Sequence, residues 1–171
     1  MLAGAITGRR NQLSWSQGKD NVDFYDLKGI TEVLFSKLGI VDYIVEAGEH
    51  YAMHPGKTAK FTKNNNCLAV IGEVHPEVLE KFGISRKTYI FDIDLKLLEE
   101  ASQEICQYQS LPKYPASSRD LAITINDEVE AGAVEATIID NGGALLKEVK
   151  LFDVYKGEQV SAGQKSLAFA L

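Results

Sequence analysis

A polar segment near the middle of the chain, Gln107–Ser118 (QYQSLPKYPASS), limits what the chain can fold into more than any other feature. It contains two prolines and three serines and has little apolar periodicity, which is typical of an extended linker. The 171 residues are enough for one ordinary domain or for two small ones. We therefore predict two small units, 1–106 and 119–171, joined by a linker at 107–118.

The N-terminal unit combines short apolar segments with turn residues. Residues 2–8 (LAGAITG) predict a buried strand, and Asp26 is a candidate N-cap for a helix that Gly39 ends. The apolar stripe of this helix is wide enough to require burial, and we expect it to pack on a strand at 68–74. The stripe consists of Leu27, Ile30, Val33, Leu34 and Leu38.

The remaining elements of this unit follow from the same kinds of signal. A proline suits the first turn of a helix, and a glycine suits its end. These signals predict extended pieces at 41–45, 58–62 and 89–93, helices at 76–82 and 95–101, and a loop around His54-Pro55-Gly56.

The C-terminal unit has the clearer pattern. Apolar residues alternate with small and polar ones over 121–125, which predicts a half-buried strand. A helix at 129–140 and strands at 145–155 and 165–171 complete the first part of a split βαβ, ferredoxin-like domain. The last helix and strand of that fold are not in the sequence, so we expect an unpaired edge on the first strand. The residues predicted to face the core are Leu121, Ile123 and Ile125 on the strand and Val134, Ile138 and Ile139 on the helix.

Charge and cysteine content narrow the function classes. Residues 1–106 hold 12 Lys and Arg against 15 Asp and Glu, and residues 107–171 hold 6 against 9. A nucleic-acid site would therefore be a local basic patch, because the overall field repels phosphate.

Cys67 and Cys106 form no CxxC pair, which favours buried thiols in a reduced cytosolic protein. With no signal peptide and no apolar run of about 18 residues, we expect a cytoplasmic protein without a membrane span.

No residue pattern supports an independent catalytic centre. The sequence has no GxSxG elbow and no phosphate-binding loop, and neither cysteine has a recognisable histidine partner. His50 and His54 stand at helical spacing, which would suit a metal site, but Pro55-Gly56 opposes a helix there and no third ligand is evident. We expect His75, which precedes a proline, to orient a turn. We therefore predict no catalytic, metal-binding or cofactor-binding residue in this chain.

Aromatic and basic residues cluster around the linker and at the end of the second strand of the C-terminal unit. Aromatics beside cations on an open sheet are how ferredoxin-like RNA binders stack unpaired bases and hold phosphates. Alternatively, Phe152 belongs to the core and the tyrosines cover the edge of the domain. The residue pattern leaves both interpretations open. The candidate RNA-binding residues are Tyr114, Arg119, Tyr155 and Lys156.

Several stretches resemble bacterial phenylalanyl-tRNA synthetase β subunits. RDLA at 119–122, FDVYKG at 152–157 and KSLAF at 165–169 resemble the ferredoxin-fold anticodon-binding domain at their C-terminus. Upstream, VDFYDLKG at 22–29, HPGK at 54–57 and IGEVHPEV at 71–78 resemble the synthetase-like module that precedes that domain. The resemblance covers nearly the whole chain, in the correct order and spacing.

This resemblance implies an α+β chain, in which part of a class II synthetase-like antiparallel-sheet module is followed by a truncated ferredoxin-like anticodon-binding domain. It also implies that the whole enzyme has two α and two β subunits and attaches phenylalanine to tRNA(Phe) using ATP and Mg²⁺. The α subunit would hold the active site, and this chain would supply scaffold and anticodon contacts. Two other functions stay open: a protein-interaction module that docks onto a partner subunit without touching RNA, and a free-standing enzyme that uses the histidines.

Overall fold

The structure, a computed structural model, describes residues 1–12, 14–16, 18–102, 113–157 and 160–171. The chain divides into two compact units, Met1–Tyr108 and Gln109–Leu171. Cys106 and about half of the predicted linker lie outside the described residues. No helix in the described ranges has both the length and the apolar character needed to cross a lipid bilayer.

The first unit is built on one antiparallel sheet of five strands. The strands are β1 (Leu2–Thr7), β2 (Ile44–Ala47), β3 (Met53–Lys63), β4 (Asn66–Val74) and β5 (Thr88–Ile93), and the helices are α1 (Phe24–Lys37), α2 (Pro76–Lys81) and α3 (Leu95–Ala101). The strand order is β1-β5-β4-β3-β2. At the turn of the β3–β4 hairpin, Asn64 and Asn65 have φ angles of 51° and 64°, a left-handed conformation that asparagine tolerates. The predicted helices at 76–82 and 95–101 and the strand at 89–93 are confirmed.

Helix α1 begins earlier than predicted. Asp23 is its N-cap, not Asp26: the Asp23 carboxylate accepts from the Asp26 N–H at 3.0 Å, and the Asp26 carboxylate accepts from the Asp23 N–H at 2.7 Å. This reciprocal arrangement is a capping box and satisfies two otherwise unpaired amides. Arg10 forms ion pairs with both carboxylates, at 2.9 Å each. The Asp23 amide, and after it Arg10, hold the pKa of Asp26 below its ordinary value.

The inner face of α1 differs in part from the predicted stripe. Leu27 is fully buried, but Ile30 and Val33 are exposed. Thr31 and Phe35 take the buried positions instead. Thr31 fits there because its hydroxyl donates to the Leu27 carbonyl at 3.0 Å within the helix. As predicted, α1 packs on β4, and it also contacts β5.

The core of the first unit contains an aromatic cluster. Phe35 from α1 and Phe61 from β3 are fully buried, and their ring centroids are 5.3 Å apart in an edge-to-face arrangement. Tyr43 joins them, with its centroid 5.2 Å from that of Phe35. Edge-to-face rings at such distances add to the stability that comes from burial alone. This cluster fixes α1 against the β3 side of the sheet.

Four local predictions in the first unit are wrong. The strand at 2–8 forms as β1, but none of its residues is buried, because it lies at the edge of the sheet. The extended piece predicted at 41–45 begins only at Ile44. The segment His54-Pro55-Gly56, predicted as a loop, lies within β3, where the register against β4 shifts between Met53 and Thr58. A bulged stretch of strand tolerates proline because it does not require that residue's amide in the ladder. Cys67, predicted as buried, is exposed beside the hairpin turn.

The second unit is a three-stranded antiparallel sheet with one helix. Its elements are β6 (Asp120–Asn126), α4 (Ala131–Gly142), β7 (Lys150–Tyr155) and β8 (Gln164–Ala170), and the strand order is β6-β8-β7. The last strand in the chain therefore lies between the other two, as the ferredoxin-like order predicts. Within the part of the chain that the structure describes, the outer edge of β6 has no strand beside it.

One face of this sheet is packed. Leu167 and Phe169 of β8 are fully buried, and the residues opposite them on β6 are the predicted core positions Ile123 and Leu121. The half-buried positions of α4 include Val134 and Ile138. Residues directly opposite each other in a ladder project to the same side, so these four strand residues share one face. We infer that α4 covers that face, because Leu167 and Phe169 are fully buried there and Val134 and Ile138 are half-buried on the helix.

Several details of the second unit correct the sequence predictions. Ile139, predicted on the inner face of α4, is 55% exposed. The second strand begins only at Lys150, because the chain leaves α4 through Gly143, whose φ is 68°. Phe152 is not a core residue: the register against β8 shifts between Leu151 and Asp153, which places Phe152 at an irregularity where it is half exposed.

Candidate functional site

The face of the second sheet opposite the packed one is open. Its members are the alternate residues of the three strands, which stand opposite one another in the ladder. On β6 these residues are exposed. The open face consists of Asp120, Ala122, Thr124 and Asn126 from β6, Gln164, Ser166, Ala168 and Ala170 from β8, and Lys150, Asp153 and Tyr155 from β7.

The open face is not chemically uniform along the strands. At one end Tyr155, Ser166 and Thr124 form a row across the three strands, and the next row pairs Gln164 with Asn126. These side chains are neutral hydrogen-bonding groups beside one aromatic ring. We call this end, with those five residues, the polar end of the open face. Such groups match the edges and faces of unpaired bases better than they match phosphates.

The position of the Tyr155 ring is related to Gly157, two residues further along the chain. Tyr155 is 40% exposed at the end of β7. A Cβ atom on Gly157 would stand 2.4 Å from the Tyr155 hydroxyl oxygen, so any side chain at 157 would require the tyrosine ring to move. The ring therefore folds back over the Gly157 backbone, and the FDVYKG sequence supplies the space that this requires.

Lys156 is paired with an acid that the sequence patterns did not reveal. Its ammonium is 2.5 Å from the Asp127 carboxylate, and Lys165 donates to the Asp127 carbonyl at 2.8 Å. Lys156, with a smaller contribution from Lys165, holds the pKa of Asp127 below its ordinary value. Lys165 stands opposite Ile125 and so projects to the packed face, and Lys156, which follows Tyr155 directly, is the cation beside the end of β7.

The structure separates the four predicted RNA-binding residues into two groups. Tyr155 and Lys156 lie together, but Arg119 pairs through its backbone with Leu171, at 3.0 and 2.8 Å. Tyr155 stands opposite Ser166, so Arg119 is about 17 Å away along the strand direction, at about 3.3 Å per residue. Tyr114 is 82% exposed in the segment before β6.

The site residues that the sequence patterns missed are those brought in from other strands. Asp127 follows β6 directly, and Thr124, Ser166 and Gln164 lie on strands that the pattern treated only as alternating. The alternation along β6 did contain a signal for Thr124. The residues between the core positions of a strand must project to the face opposite the core. What the sequence did not contain is which residue of β8 stands beside which residue of β7.

In the first unit, the histidines have structural contacts. The Nδ1 atom of His75 accepts from the Glu77 N–H at 3.3 Å and caps α2, so the prediction that His75 orients a turn is confirmed. The Nδ1 atom of His50 accepts from the Ala52 N–H at the same distance. Among the residues that the structure describes, no three His, Cys, Asp or Glu side chains are grouped so that they could hold a metal ion.

A cleft of about 400 Å³ opens at the start of α1. Glu73 at its base is nearly buried and pairs with Lys57 at 3.0 Å. Tyr89 stands opposite Glu73 in the ladder, and burial, followed by that carboxylate, raises the pKa of its phenol. Among the described residues, the two acids that line the cleft, Glu73 and Asp23, are each held in an ion pair, by Lys57 and by Arg10.

Comparison with known families and proteins agrees with this architecture. Residues 1–95 match the family model described as phenylalanyl tRNA synthetase beta chain CLM domain, and residues 112–171 match the ferredoxin-fold anticodon binding domain. The phenylalanine–tRNA ligase beta subunit of Halalkalibacterium halodurans is 42% identical over 100% of this chain and 21% of its own length. That of Bacillus subtilis is 41% identical over 99% of the chain and 21% of its own length.

A more distant relative shows the same coverage. The phenylalanine–tRNA ligase beta subunit of Symbiobacterium thermophilum is 36% identical over 100% of this chain and 19% of its own length. The chain therefore spans about a fifth of the length of the curated relatives that it matches. The first family model alone covers more than half of the chain. The chain belongs to the phenylalanyl-tRNA synthetase β-chain family, of which it carries a CLM domain region followed by a ferredoxin-fold anticodon-binding domain.

Proposed function

We propose that this chain is the part of a phenylalanine–tRNA ligase β subunit that supplies scaffold and contacts the anticodon region of tRNA(Phe). The chemistry of aminoacylation, with its ATP and Mg²⁺, belongs in this proposal to the α subunit of an α2β2 enzyme in the cytoplasm. The proposal assigns neither cofactor to a residue of this chain. The family membership of both units supports the proposal.

The observation that carries the anticodon role is the polar end of the open face. An exposed aromatic ring, Tyr155, stands in line with neutral hydrogen-bonding side chains, and Lys156 lies next to it. An unpaired base can stack on such a ring while its edge meets amide and hydroxyl groups, and a lysine holds the phosphate. Away from that end the face carries charges of both signs among alanines: Asp153 stands beside Ala168 and Ala122, and Asp120 and Lys150 flank Ala170. The RNA strand is therefore expected at the Tyr155 end.

The test is binding of a tRNA(Phe) anticodon stem-loop to the complete protein of which this chain is a part. Replacing Tyr155 with Ala should weaken binding by about 5- to 150-fold, the range that a lost base–aromatic stack gives. Replacing Lys156 with Gln should make the negative slope of log affinity against log salt shallower by about one. Tyr51→Ala is the matched control, because Tyr51 is 93% exposed in the first unit and should leave binding unchanged.

The outcomes separate the remaining functions. If Tyr155→Ala and Lys156→Gln leave RNA binding unchanged but weaken association with the partner subunit, the second unit is a protein-docking module and the proposal fails. A catalytic role is tested by adenylate formation: the purified chain alone should form no phenylalanyl-adenylate from phenylalanine and ATP. Adenylate formation that disappears when the histidines are replaced would support the free-standing enzyme instead.

A further inference from the structure

A second group of cations lies on the first unit, at the end where β1 meets β5. Thr7, the last residue of β1, donates through its hydroxyl to the Lys87 carbonyl at 2.8 Å. Arg86 reaches over the backbone of Gly8, and its Nη1 atom is 3.6 Å from the position that a Cβ atom would take there. Arg9 follows Gly8 directly. Three exposed cations, Arg9, Arg86 and Lys87, are therefore neighbours on one surface.

These three cations have no acidic partner among the ion pairs of the described residues. The adjacent Arg10 is the contrast, because it is held by Asp23 and Asp26. Arg9 pairs across the base of the loop with Asn21.

The loop that starts from this surface carries an exposed indole. Its base is closed by two backbone hydrogen bonds, from Val22 to Gly8 at 3.0 Å and from Arg10 to Asp20 at 2.9 Å. Trp15, the single tryptophan of the chain, lies in the loop with its side chain 100% exposed. A fully exposed tryptophan offers a large ring face and an N–H donor to a partner.

We propose that Arg9, Trp15, Arg86 and Lys87 form a second RNA contact, which binds the tRNA outside its anticodon loop. The proposal rests on the proposed tRNA-binding function and extends it to the first unit. Guanidinium groups bind phosphate oxygens in a bidentate manner, and the indole offers a face for one unpaired base. Three uncompensated cations in a chain of net charge −6 call for a strongly anionic partner, and a phosphate backbone is the most densely charged one.

The test uses the complete protein in its natural assembly and two RNA probes, whole tRNA(Phe) and its anticodon stem-loop alone. The triple variant R9Q/R86Q/K87Q should bind the stem-loop as the wild type does but bind whole tRNA less tightly. Each phosphate contact contributes about 0.7–0.9 to the steepness of the negative salt slope. The slope for whole tRNA should therefore become shallower by about 2–3 in the variant. Between roughly 50 and 200 mM salt, the wild type should lose about 20- to 40-fold more affinity than the variant does.

The matched control is the triple variant K37Q/K63Q/K96Q, which removes the same charge from other surfaces of the first unit. It should leave the salt slope for whole tRNA unchanged. Trp15→Ala should weaken whole-tRNA binding by about 5- to 150-fold without changing the salt slope. Footprinting of the RNA backbone should show protections outside the anticodon loop that are lost in R9Q/R86Q/K87Q.

Equal whole-tRNA affinity and salt slope for R9Q/R86Q/K87Q and wild type would overturn this inference and leave the anticodon proposal standing. Loss of subunit association with RNA affinity intact would also overturn it, and would assign the surface to an acidic protein partner. Failure of the wild type to bind either RNA would instead remove the proposed function on which the inference rests.

Discussion

The two units bury very different amounts of side chain for their size. The first has a continuous core in which α1, α3 and the sheet contribute, and its fully buried members include Leu27, Phe35, Ile40, Phe61 and Ile71. In the second unit, Leu167 and Phe169 are the buried hydrophobic residues of the described part. The difference indicates that the first unit owes its stability to its own core. The second unit leaves one face of a small sheet open, and the fully buried part of its core consists of two side chains of its central strand.

The largest expected effect tests the core of the first unit. Replacing Phe61 with Ala removes a fully buried ring that contacts the rings of Phe35 and Tyr43. We expect the free energy of unfolding to fall by roughly 3–5 kcal/mol, measured by urea denaturation of the chain. Phe82→Ala removes a ring that is 77% exposed and should change it by less than about 0.5 kcal/mol. Equal effects of the two substitutions would contradict the burial described for Phe61.

The second prediction asks whether the small core holds the second unit together. Leu167→Ala should cost roughly 2–5 kcal/mol, because the side chain is fully buried on the middle strand. Hydrogen exchange should then quicken throughout β6, β7 and β8 but not in β4 of the first unit. Val154→Ala, which removes a half-exposed side chain opposite Leu167, is the control. Quickened exchange in both units would show that they do not unfold independently.

A smaller effect is expected at the start of α1. Asp23→Ala removes the carboxylate that accepts from the Asp26 amide and pairs with Arg10. Loss of an N-cap costs about 1 kcal/mol, within a range of about 0.5–2 kcal/mol, and circular dichroism during urea denaturation can measure it. Glu49→Ala, an exposed acid outside the helices, should have no measurable effect. A cost as small as that of the control would mean that the capping box contributes nothing to stability.

The smallest effects concern the acid beside Lys156. The pKa of Asp127 is held below its ordinary value of 3.8 by Lys156, so its contribution to stability is present at neutral pH. It is lost as the pH falls below about 3.8 through the lowered folded-state pKa. Asp127→Asn should remove this acid dependence of stability, which can be followed by measuring unfolding as the pH is lowered.

The same variant should raise anticodon stem-loop affinity by less than about tenfold at neutral pH, because Lys156 is then free to bind a phosphate. An unchanged affinity would show that Lys156 does not face RNA.

Sequence reasoning succeeded where the signal was local and failed where it depended on a partner element. The alternation over 121–125 identified β6 and its buried face, and the glycines at 39 and 83, both with φ of 66°, marked two helix ends. The helical stripe, by contrast, predicted burial of Ile30 and Val33, because hydropathy alone cannot tell which side of α1 meets the sheet. Thr31 is buried since its hydroxyl is satisfied inside the helix, which hydropathy also does not record.

The same division applies to the candidate site. Tyr155 and Lys156 are adjacent in sequence and were predicted together, and whether they contact RNA remains a prediction. Arg119 was proposed as a further RNA-binding residue at the start of the first strand, and the antiparallel pairing of β6 with β8 places it at the far end of the sheet from Tyr155. Asp127 reaches Lys156 across 29 positions of sequence, a pairing that only the strand order creates.

The order β6-β8-β7 also determines when the second unit can form during synthesis. In the part of the chain that the structure describes, β6 and β7 pair only with β8, so neither has a strand to bond with until Gln164–Ala170 has left the ribosome. The β3–β4 hairpin of the first unit needs only a turn of adjacent residues and can close as soon as both arms emerge. Local pairing closes quickly and distant pairing slowly. On a translating ribosome, the second unit is therefore the later of the two to gain its structure, and a chain released before β8 would have a folded first unit without this sheet.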